Sequence, residues 1–263
     1  MDQLLKDIKL NNSWNIILVV DVANSGLIDE FLFEAAMRLL PLKQQSKILA
    51  RKSAMGKHTM LCNRLLQLFG CSISTGKNIS QLVFQAGKHG KPMLQNANNV
   101  AFNMSNGDNH TVMYLTKGSS TGGDVGVDIA SVDDLGEDLE LFKNIFHRDE
   151  YTYLLELPPV ERRCLFAYYW SLKESYTKYV GTGLHNNLND INFKEQKDFR
   201  DEGRQDVIIN NEHLTFYSRW LPAERKEEKD IITVCHSANL NMNKPKMYSI
   251  TFNSVFDYLQ SQI

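Results

Sequence analysis

The chain has 263 residues, of which 43% are apolar and 23% are charged, and its formal net charge is −2. This composition predicts a globular protein with one large domain or two small ones. It argues against a membrane protein, because the longest aliphatic run, IILVV at 16–20, is too short to span a bilayer. The N-terminal segment also lacks the apolar region of a signal peptide.

The first half of the chain alternates between predicted strands and helices. The run WNIILVVDV (14–22) predicts a buried strand, and Asp29 can cap a helix that continues to Leu40. Pro41 suits the first turn of a further helix. Helical periodicity resumes around TMLCNRLLQLFG and ends at Gly70, after which LVFQ, VAFNMS and TVMYLTK predict three short strands.

The second half begins after KGSSTGG (117–123), whose composition is typical of a linker. DVGVDIA then predicts a strand, LGEDLELFKNIF and RDEYTYLLEL predict helices, and a long helix begins near Pro159. Strands are expected near 207–210, 213–219, 231–236 and 247–251, and a last helix near 254–261. The predicted fold class is therefore α+β, with two lobes at 1–119 and 120–263 that each combine helices with short antiparallel strands.

The cysteines and histidines give no sign of a metal site. Cys62, Cys71, Cys164 and Cys235 form no CxxC pair and no zinc-like spacing, and the seven histidines are scattered. We expect buried thiols in a reducing compartment, and therefore a cytoplasmic protein.

Positive charge is concentrated in the first lobe. Between Ala35 and Gly107 there is no Asp or Glu, while the same stretch contains ten Lys or Arg residues. Basic residues without neighbouring carboxylates usually face an external anion. Lys43, Lys47 and Arg51 share one face of the helix predicted after Pro41, where like charges repel unless an anion meets them. The anion could be a phosphorylated cofactor, an acidic protein or nucleic acid; nucleic acid ranks last because the whole chain is slightly acidic and lacks a nucleic-acid-binding motif.

The strand GVDIA (126–130) carries a carboxylate between two small residues. Period-two alternation places Gly126, Asp128 and Ala130 on one face of the strand, and the valines and isoleucine on the other. The small neighbours leave space beside the Asp128 charge. From this stretch alone, a solvent-facing aspartate on an ordinary strand is an equally good interpretation.

The stretch WSLKESYTK (170–178) places functional side chains on one face of a helix. Trp170, Glu174 and Lys178 follow one another at i, i+4 and i+8, and Lys173 lies beside them. An exposed Glu–Lys pair is the simpler alternative, but Trp170 on the same face argues against full exposure. If Asp128 and Glu174 converge, they form a two-carboxylate site for a hard cation, Mg²⁺ above all, with lysines near its phosphate ligands.

Two further stretches in the first lobe are weak signals when taken alone. HGKPML (89–94) predicts a Gly-Lys-Pro turn, and FNMSNGDN (102–109) places small polar residues at the end of a strand. Together and in order, GKP, FN-S, GVDI and WSLKESYTK resemble the motif series of the phosphopantetheinyl transferases of the larger, two-lobed type. The resemblance runs from about Leu39 to Leu184, and the flanking text looks closest to fungal members that activate L-2-aminoadipate reductase in lysine biosynthesis.

The resemblance implies a reaction and a fold. A serine hydroxyl of a carrier protein attacks the β-phosphate of coenzyme A, and adenosine 3′,5′-bisphosphate leaves. Coenzyme A binds in the cleft between two pseudosymmetric lobes. The implied partners are coenzyme A and the acidic carrier domain of L-2-aminoadipate reductase, with Mg²⁺ as the cofactor. We expect a monomer with no nucleic-acid and no membrane partner.

The resemblance also assigns roles to the catalytic residues. Asp128 matches the family's metal ligand on the strand, and Glu174 matches the helix carboxylate that binds the metal and helps to deprotonate the serine. Lys178 matches the lysine that neutralises the diphosphate. By position, Lys173 could also contact the phosphates.

On the cofactor side, Gly90 and Lys91 match the turn that approaches the nucleotide phosphates. Asn103 and Ser105 match the strand end that lines the cofactor. Lys43 or Lys47 could bind the 3′-phosphate, since both belong to the basic face of the predicted helix, although no fixed motif anchors this match.

The sequence departs from the family pattern at two positions. Many members have Glu where this chain has Ala130, so the metal would lose one protein ligand and gain water. Many members have His where this chain has Asn106, which can donate a hydrogen bond to phosphate but cannot carry charge.

Other functions remain possible at this level. The protein could bind an acidic carrier without modifying it, or it could serve fatty-acid or polyketide carriers. An unrelated Mg²⁺-nucleotide enzyme should contain a Walker-type or kinase-type glycine loop, and the sequence has neither.

Overall fold

The computed structural model describes residues 1–87, 90–97, 99–118, 124–136, 138–183, 187–196, 198–222, 230–240 and 242–262. Helices and mainly antiparallel sheets make up these ranges, which confirms the α+β class. Of the helices described, none has the length and hydropathy that a bilayer span requires. The chain divides into two compact units, each with its own four-stranded sheet.

Unit 1 comprises Met1–Gln85, Pro92–Gly122 and Pro245–Ile263. Its helices are α1 (Asp2–Leu10), α2 (Glu30–Met37), α3 (Leu42–Leu49), α4 (Ala54–Thr75) and α7 (Phe252–Gln260). Its sheet has the order β10-β1-β5-β4, formed by β1 (Trp14–Asp21), β4 (Val100–Asn106), β5 (His110–Lys117) and β10 (Lys246–Ser249). β5 pairs antiparallel with β1 and β4, whereas β10 pairs with β1 in parallel. Two short strands, β2 (Phe84–Ala86) and β3 (Pro92–Leu94), form a separate small sheet.

The core of unit 1 lies between α4 and one face of its sheet. Every second residue of β1 points into this core, including Leu18, which is fully buried. Asp29 caps α2 as predicted, because its Oδ1 accepts a hydrogen bond of 2.8 Å from the Phe31 amide. The predicted helix end at Gly70 is wrong. A Cβ on Gly70 would lie 2.5 Å from the Met113 sulfur, so this glycine permits close packing inside α4, and the helix ends at left-handed Gly76.

Unit 2 comprises Ala86–Lys91 and Gly123–Lys244. Its antiparallel sheet has the order β6-β9-β8-β7, formed by β6 (Val125–Ser131), β7 (Gly203–Ile209), β8 (Glu212–Trp220) and β9 (Asp230–Ser237). Its helices are α5 (Arg148–Glu156) and α6 (Pro159–Val180). The helix predicted over 135–146 is wrong, since among the described residues of this range only Leu139–Phe142 form a 3-10 helix. Gly136, three residues before this turn, has a positive φ of 61°, which interrupts a regular helix.

The long helix α6 lies directly against β6. A Cβ on Gly126 would come within 1.9 Å of the Ser175 carbonyl oxygen, so only glycine allows the strand to approach the helix this closely. Because side chains alternate along a strand, Asp128 and Ala130 share the face that Gly126 turns toward α6. Asp128 is therefore not on a solvent-facing strand surface, and only 4% of it is exposed. The helix ends at Gly181, whose φ of 75° is left-handed.

The two units differ from the predicted lobes in two segments. The last part of the chain, Pro245–Ile263, belongs to unit 1 rather than to the second lobe, since β10 pairs with β1 and α7 contacts α4. The segment Ala86–Lys91 belongs to unit 2 rather than to the first lobe. Most of the predicted linker, 119–123, lies outside the described residues.

Candidate active site

Strand β6 and helix α6 bring three of the predicted site residues together. The Lys178 ammonium donates a 2.7 Å hydrogen bond to Oδ1 of Asp128, and the two groups form an ion pair. Glu174 lies one helical turn before Lys178, so its side chain shares this face of α6. Asp128, Glu174 and Lys178 therefore form one cluster within unit 2, hereafter the β6–α6 cluster.

Glu174 is the electrostatically strained member of the cluster. Its Oε1 is buried and has no hydrogen-bond partner among the described residues. Burial raises the pKa of Glu174, the negative charge of Asp128 raises it further, and Lys178 lowers it. Two carboxylates beside one ammonium leave an excess of negative charge in a poorly solvated place. Such a site favours an additional cation or a proton.

Trp170 completes the face at its N-terminal end, as part of an aromatic cluster. Its ring stacks on Phe166 with centroids 5.9 Å apart and meets Phe142 edge-on at 5.4 Å. The contact with Phe142 joins α6 to the turn at 139–142, whereas Phe166 lies one turn earlier on α6 itself, so Trp170 belongs to the packing around the helix.

Lys173 does not have the phosphate-binding role that its position in the sequence suggested. Its side chain is 0% exposed, and its ammonium forms a 2.9 Å ion pair with Glu150. It also donates to the carbonyl oxygens of Leu188 and Ile191, at 2.9 and 2.8 Å. All three N–H donors are used inside unit 2, so a phosphate cannot reach this group in the structure.

Glu150 is the residue that sequence reasoning missed. It is buried on α5, where Oε2 accepts from the His147 amide at 2.9 Å and Oε1 accepts from the Phe193 amide at 2.8 Å. With Lys173, it ties α5 and the segment after Leu188 to α6, next to Glu174. The only local signal is a glutamate three residues after a helix N-cap, which is the pattern of a capping box.

The Lys91 ammonium is also directed into unit 2. It donates to Oδ1 of Asp124 at 3.1 Å, to the Val125 carbonyl at 2.9 Å and to the Tyr179 carbonyl at 3.1 Å. Only 11% of this side chain is exposed. Lys91 thus joins the start of β6 to the end of α6, and its ammonium is not available to the phosphates as the sequence suggested. The preceding Gly90 has a φ of 84°, and apart from its chain neighbours no described residue comes within 4 Å of the position a Cβ would take.

The remaining predicted cofactor residues belong to unit 1. Asn103 and Ser105 are buried on β4, on the face opposite Phe102. Lys43 and Lys47 are exposed on α3. Lys43 and Lys47 therefore offer charge to an external anion, whereas Asn103 and Ser105 are shielded from solvent.

The two departures from the family pattern have distinct surroundings. Ala130 is fully buried in the hydrophobic core of unit 2, where its methyl group replaces a carboxylate. Asn106 is exposed at the end of β4, and its Oδ1 accepts from the side chains of Asn63 at 2.9 Å and Thr111 at 3.1 Å. Those bonds orient the amide so that its NH₂ group remains a donor for a ligand.

The donor set of the β6–α6 cluster fits a hard divalent cation that takes its other ligands from a substrate. Asp128 and Glu174 supply carboxylate oxygens, which such ions prefer. In the part of the chain that the structure describes, no group of three or more His, Cys, Asp or Glu residues could hold a metal by itself. The orphaned oxygen of Glu174 is the atom that most needs such a partner.

Comparison with known proteins places this cluster in a family. The model of the 4′-phosphopantetheinyl transferase superfamily matches residues 124–234, which include all three members of the cluster. An L-aminoadipate-semialdehyde dehydrogenase-phosphopantetheinyl transferase of Saccharomyces cerevisiae is 42% identical over 254 residues, covering 93% of this chain and 90% of the relative. The chain belongs to the 4′-phosphopantetheinyl transferase family. The resemblance inferred from the motifs is thereby confirmed.

Other relatives support the same membership in the transferase family. A protein of the same name from Candida glabrata is 33% identical over 271 residues, covering 100% of this chain and 99% of the relative. A 4′-phosphopantetheinyl transferase of Bacillus pumilus is 28% identical over 120 residues, covering 46% of this chain and 48% of the relative. The similarity to the fungal relatives thus extends over both units.

Proposed function

We propose that this transferase moves the 4′-phosphopantetheine group of coenzyme A to a serine of an apo carrier domain, and that the carrier is that of L-2-aminoadipate reductase. One observation carries the proposal: Asp128, Glu174 and Lys178 meet in one cluster. The similarity to the Saccharomyces cerevisiae relative covers 93% of this chain and so includes both units. The name of that relative supplies the carrier, and the cluster supplies the chemistry.

In the proposed reaction, the serine oxygen forms a bond to the β-phosphorus of coenzyme A. The bond from this phosphorus to the bridging oxygen breaks, and its electron pair leaves with adenosine 3′,5′-bisphosphate. Glu174 accepts the serine proton. Its raised pKa suits this role, because a base whose pKa lies closer to neutral pH takes up a proton more readily.

Lys178 supplies positive charge where the diphosphate develops negative charge. Phosphoryl transfer depends mainly on positioning and on charge neutralisation. The ion pair with Asp128 fixes the ammonium at the cluster before substrate arrives, so the lysine does not have to be ordered during the reaction.

Asp128 and Glu174 are the residues that would hold Mg²⁺, which when bound would neutralise the diphosphate oxygens. This assignment rests on the two neighbouring carboxylates and on the buried Oε1 of Glu174. The methyl group of Ala130 removes a third carboxylate from the set. The protein alone should therefore bind the cation weakly.

The cofactor side of the proposal uses residues of unit 1 and the turn before β3. Exposed Lys43 and Lys47 attract the 3′-phosphate of coenzyme A, within a stretch that has no acidic residues. Asn103 and Ser105, near the end of β4, would line the cofactor. At the Gly90 turn the backbone, rather than the Lys91 ammonium, makes the approach.

Mass spectrometry of the carrier domain tests the reaction. Apo carrier is incubated with the protein, coenzyme A and Mg²⁺, and the masses of carrier and nucleotide products are followed. The carrier should gain one phosphopantetheine while adenosine 3′,5′-bisphosphate appears at the same rate. Stable binding without any mass change would instead identify a non-catalytic carrier-binding protein.

A second arm of the experiment tests the choice of carrier. The carrier domain of L-2-aminoadipate reductase is compared with a fatty-acid carrier protein at equal concentrations. The reductase domain should be modified with the higher kcat/KM. Faster modification of the fatty-acid carrier would overturn this part of the proposal but not the transfer reaction itself.

A further inference from the structure

Unit 1 contains a cavity that the proposed reaction does not use. Its volume is ≈ 660 Å³, which lies within the usual range for pockets that bind small molecules. Residues of the α2–α3 junction, of α4 and of the segment 78–84 line it. The wall is mixed: its apolar members include Leu39, Leu68, Leu82 and Phe84, and its neutral polar members are Gln44, Asn78, Ser80 and Gln262.

One cation, Arg64 of α4, lies in this wall. Its guanidinium stacks on the Phe84 ring at 4.8 Å from the centroid. Its Nε donates to the side-chain oxygen of Gln44, and its Nη1 donates to that of Gln67. Both acceptors are neutral amides. They orient the planar guanidinium without balancing its charge.

The described residues place no carboxylate against Arg64. No salt bridge among them includes this residue, and no Asp or Glu occurs in the sequence between Ala35 and Gly107. Burial lowers the pKa of Arg64, and no carboxylate counteracts this effect. A guanidinium has five N–H donors, and only two of them have partners in this part of the molecule. The arrangement therefore lacks an anionic acceptor.

A second observation indicates the same deficiency. Gln67, whose oxygen accepts from Arg64, is only 4% exposed, and its Nε2 has no hydrogen-bond partner within the described ranges. A buried amide donor without an acceptor is costly. Two neighbouring side chains of α4, the charged Arg64 and the neutral Gln67, thus have unused donors, although only Arg64 lines the cavity.

We propose that this cavity binds a small organic carboxylate, with its carboxylate on the Arg64 guanidinium and its apolar body against Leu39, Leu68, Leu82 and Phe84. The planar guanidinium fork matches a carboxylate. Arg64 is the only charged side chain in the described wall, so a monoanion balances the site, whereas a phosphate dianion leaves one charge without a partner. Small inorganic anions are poorer ligands, since they leave the apolar part of the wall unfilled.

Calorimetric titration with octanoate tests the proposal on the full chain, with octan-1-ol and octyl phosphate as comparison probes. Octanoate should bind with one-to-one stoichiometry, and more tightly than either comparison probe. Equal or tighter binding of octan-1-ol would show that the charge is not recognised. Equal or tighter binding of octyl phosphate would overturn the choice of a carboxylate. An absence of saturable octanoate binding would overturn the proposal as a whole.

Three variants locate the site. Arg64→Gln should weaken octanoate binding roughly ten- to a hundredfold, as expected for the loss of a charged hydrogen-bonding partner. The matched control Arg38→Gln removes a guanidinium that is 80% exposed on the same unit, and it should bind octanoate like the unaltered protein. Leu82→Trp fills the cavity but keeps Arg64, so it should abolish binding, and it decides the question if Arg64→Gln does not fold. Unchanged affinity in a folded Arg64→Gln or Leu82→Trp variant contradicts the assignment.

Discussion

The position of the Lys91 ammonium leads to a prediction that separates two roles for this residue. If it contacted coenzyme A, Lys91→Met would raise the KM for coenzyme A and leave stability unchanged. The structure instead directs its three donors to Asp124, Val125 and Tyr179, all within unit 2. We therefore expect Lys91→Met to lower stability and kcat, while the KM for coenzyme A remains the same.

The size of the stability loss follows from the three acceptors. The Asp124 side chain is 59% exposed, so water replaces its lost partner and this ion pair contributes little. The carbonyl groups of Val125 and Tyr179 each lose a charged donor, which together costs about 2–4 kcal/mol of unfolding free energy. The kcat falls because these bonds hold the start of β6 to the end of α6, the two elements that carry Asp128 and Lys178.

Urea denaturation and steady-state kinetics check both parts of this prediction. Lys143→Met is the matched control, because Lys143 is 60% exposed and its only described ion pair, with Glu140, is 3.7 Å long. The control should unfold at the same urea concentration as the unaltered protein. An unchanged midpoint for Lys91→Met, together with a raised KM for coenzyme A, would refute the reasoning.

Three further predictions concern unit 2. Glu174→Gln should reduce transfer by orders of magnitude in the mass-spectrometric assay. Because folding raises the pKa of Glu174, the unaltered protein loses stability as the pH rises above 4.5, whereas the glutamine variant does not. Melting curves should therefore show the variant gaining stability relative to the unaltered protein above pH 4.5. Glu150→Gln should lower the free energy of unfolding, measured in urea, by about 3–5 kcal/mol, because it leaves the Lys173 charge buried without its partner. Adding Lys173→Met to this variant should restore much of the loss. Additive losses from the two substitutions would argue against coupling between the residues. Gly126→Ala should prevent folding, judged by circular dichroism, whereas Gly203→Ala, whose Cβ has its nearest neighbour at 3.6 Å, should fold normally; a folded, active Gly126→Ala variant would show that the strand and helix can separate.

The local features of the β6–α6 cluster could be predicted from sequence because they depend on short-range periodicity. Alternation along the strand and the four-residue spacing along the helix fixed which side chains share a face, for both Asp128 and Glu174. Periodicity does not determine depth, however. Lys173 immediately precedes Glu174, yet it is buried because Glu150, from another helix, provides a partner for its charge.

The features that sequence failed to predict depend on distant parts of the chain. Gly70 resembled a helix end, but it is a contact point for Met113, more than forty residues later. Lys91 matched the Gly-Lys-Pro turn of the family, and its actual acceptors at 124, 125 and 179 are too far away in sequence to be foreseen. The pairing of β10 with β1 similarly joins the two ends of the chain, for which no local pattern exists.

The pairing of β10 with β1 determines the order in which the two units can finish folding during synthesis. The main segment of unit 2 is continuous, so its sheet and α6 can form as soon as residue 244 has left the ribosome. Unit 1 begins before unit 2 but closes after it, because β10 and α7 follow the whole of unit 2 in the chain. Until then β1 has a bare edge, which can pair with other chains. A premature stop codon before residue 245 would therefore leave the β6–α6 cluster intact and expose the edge of the N-terminal sheet, so the expected product is an aggregating protein rather than a partly active one.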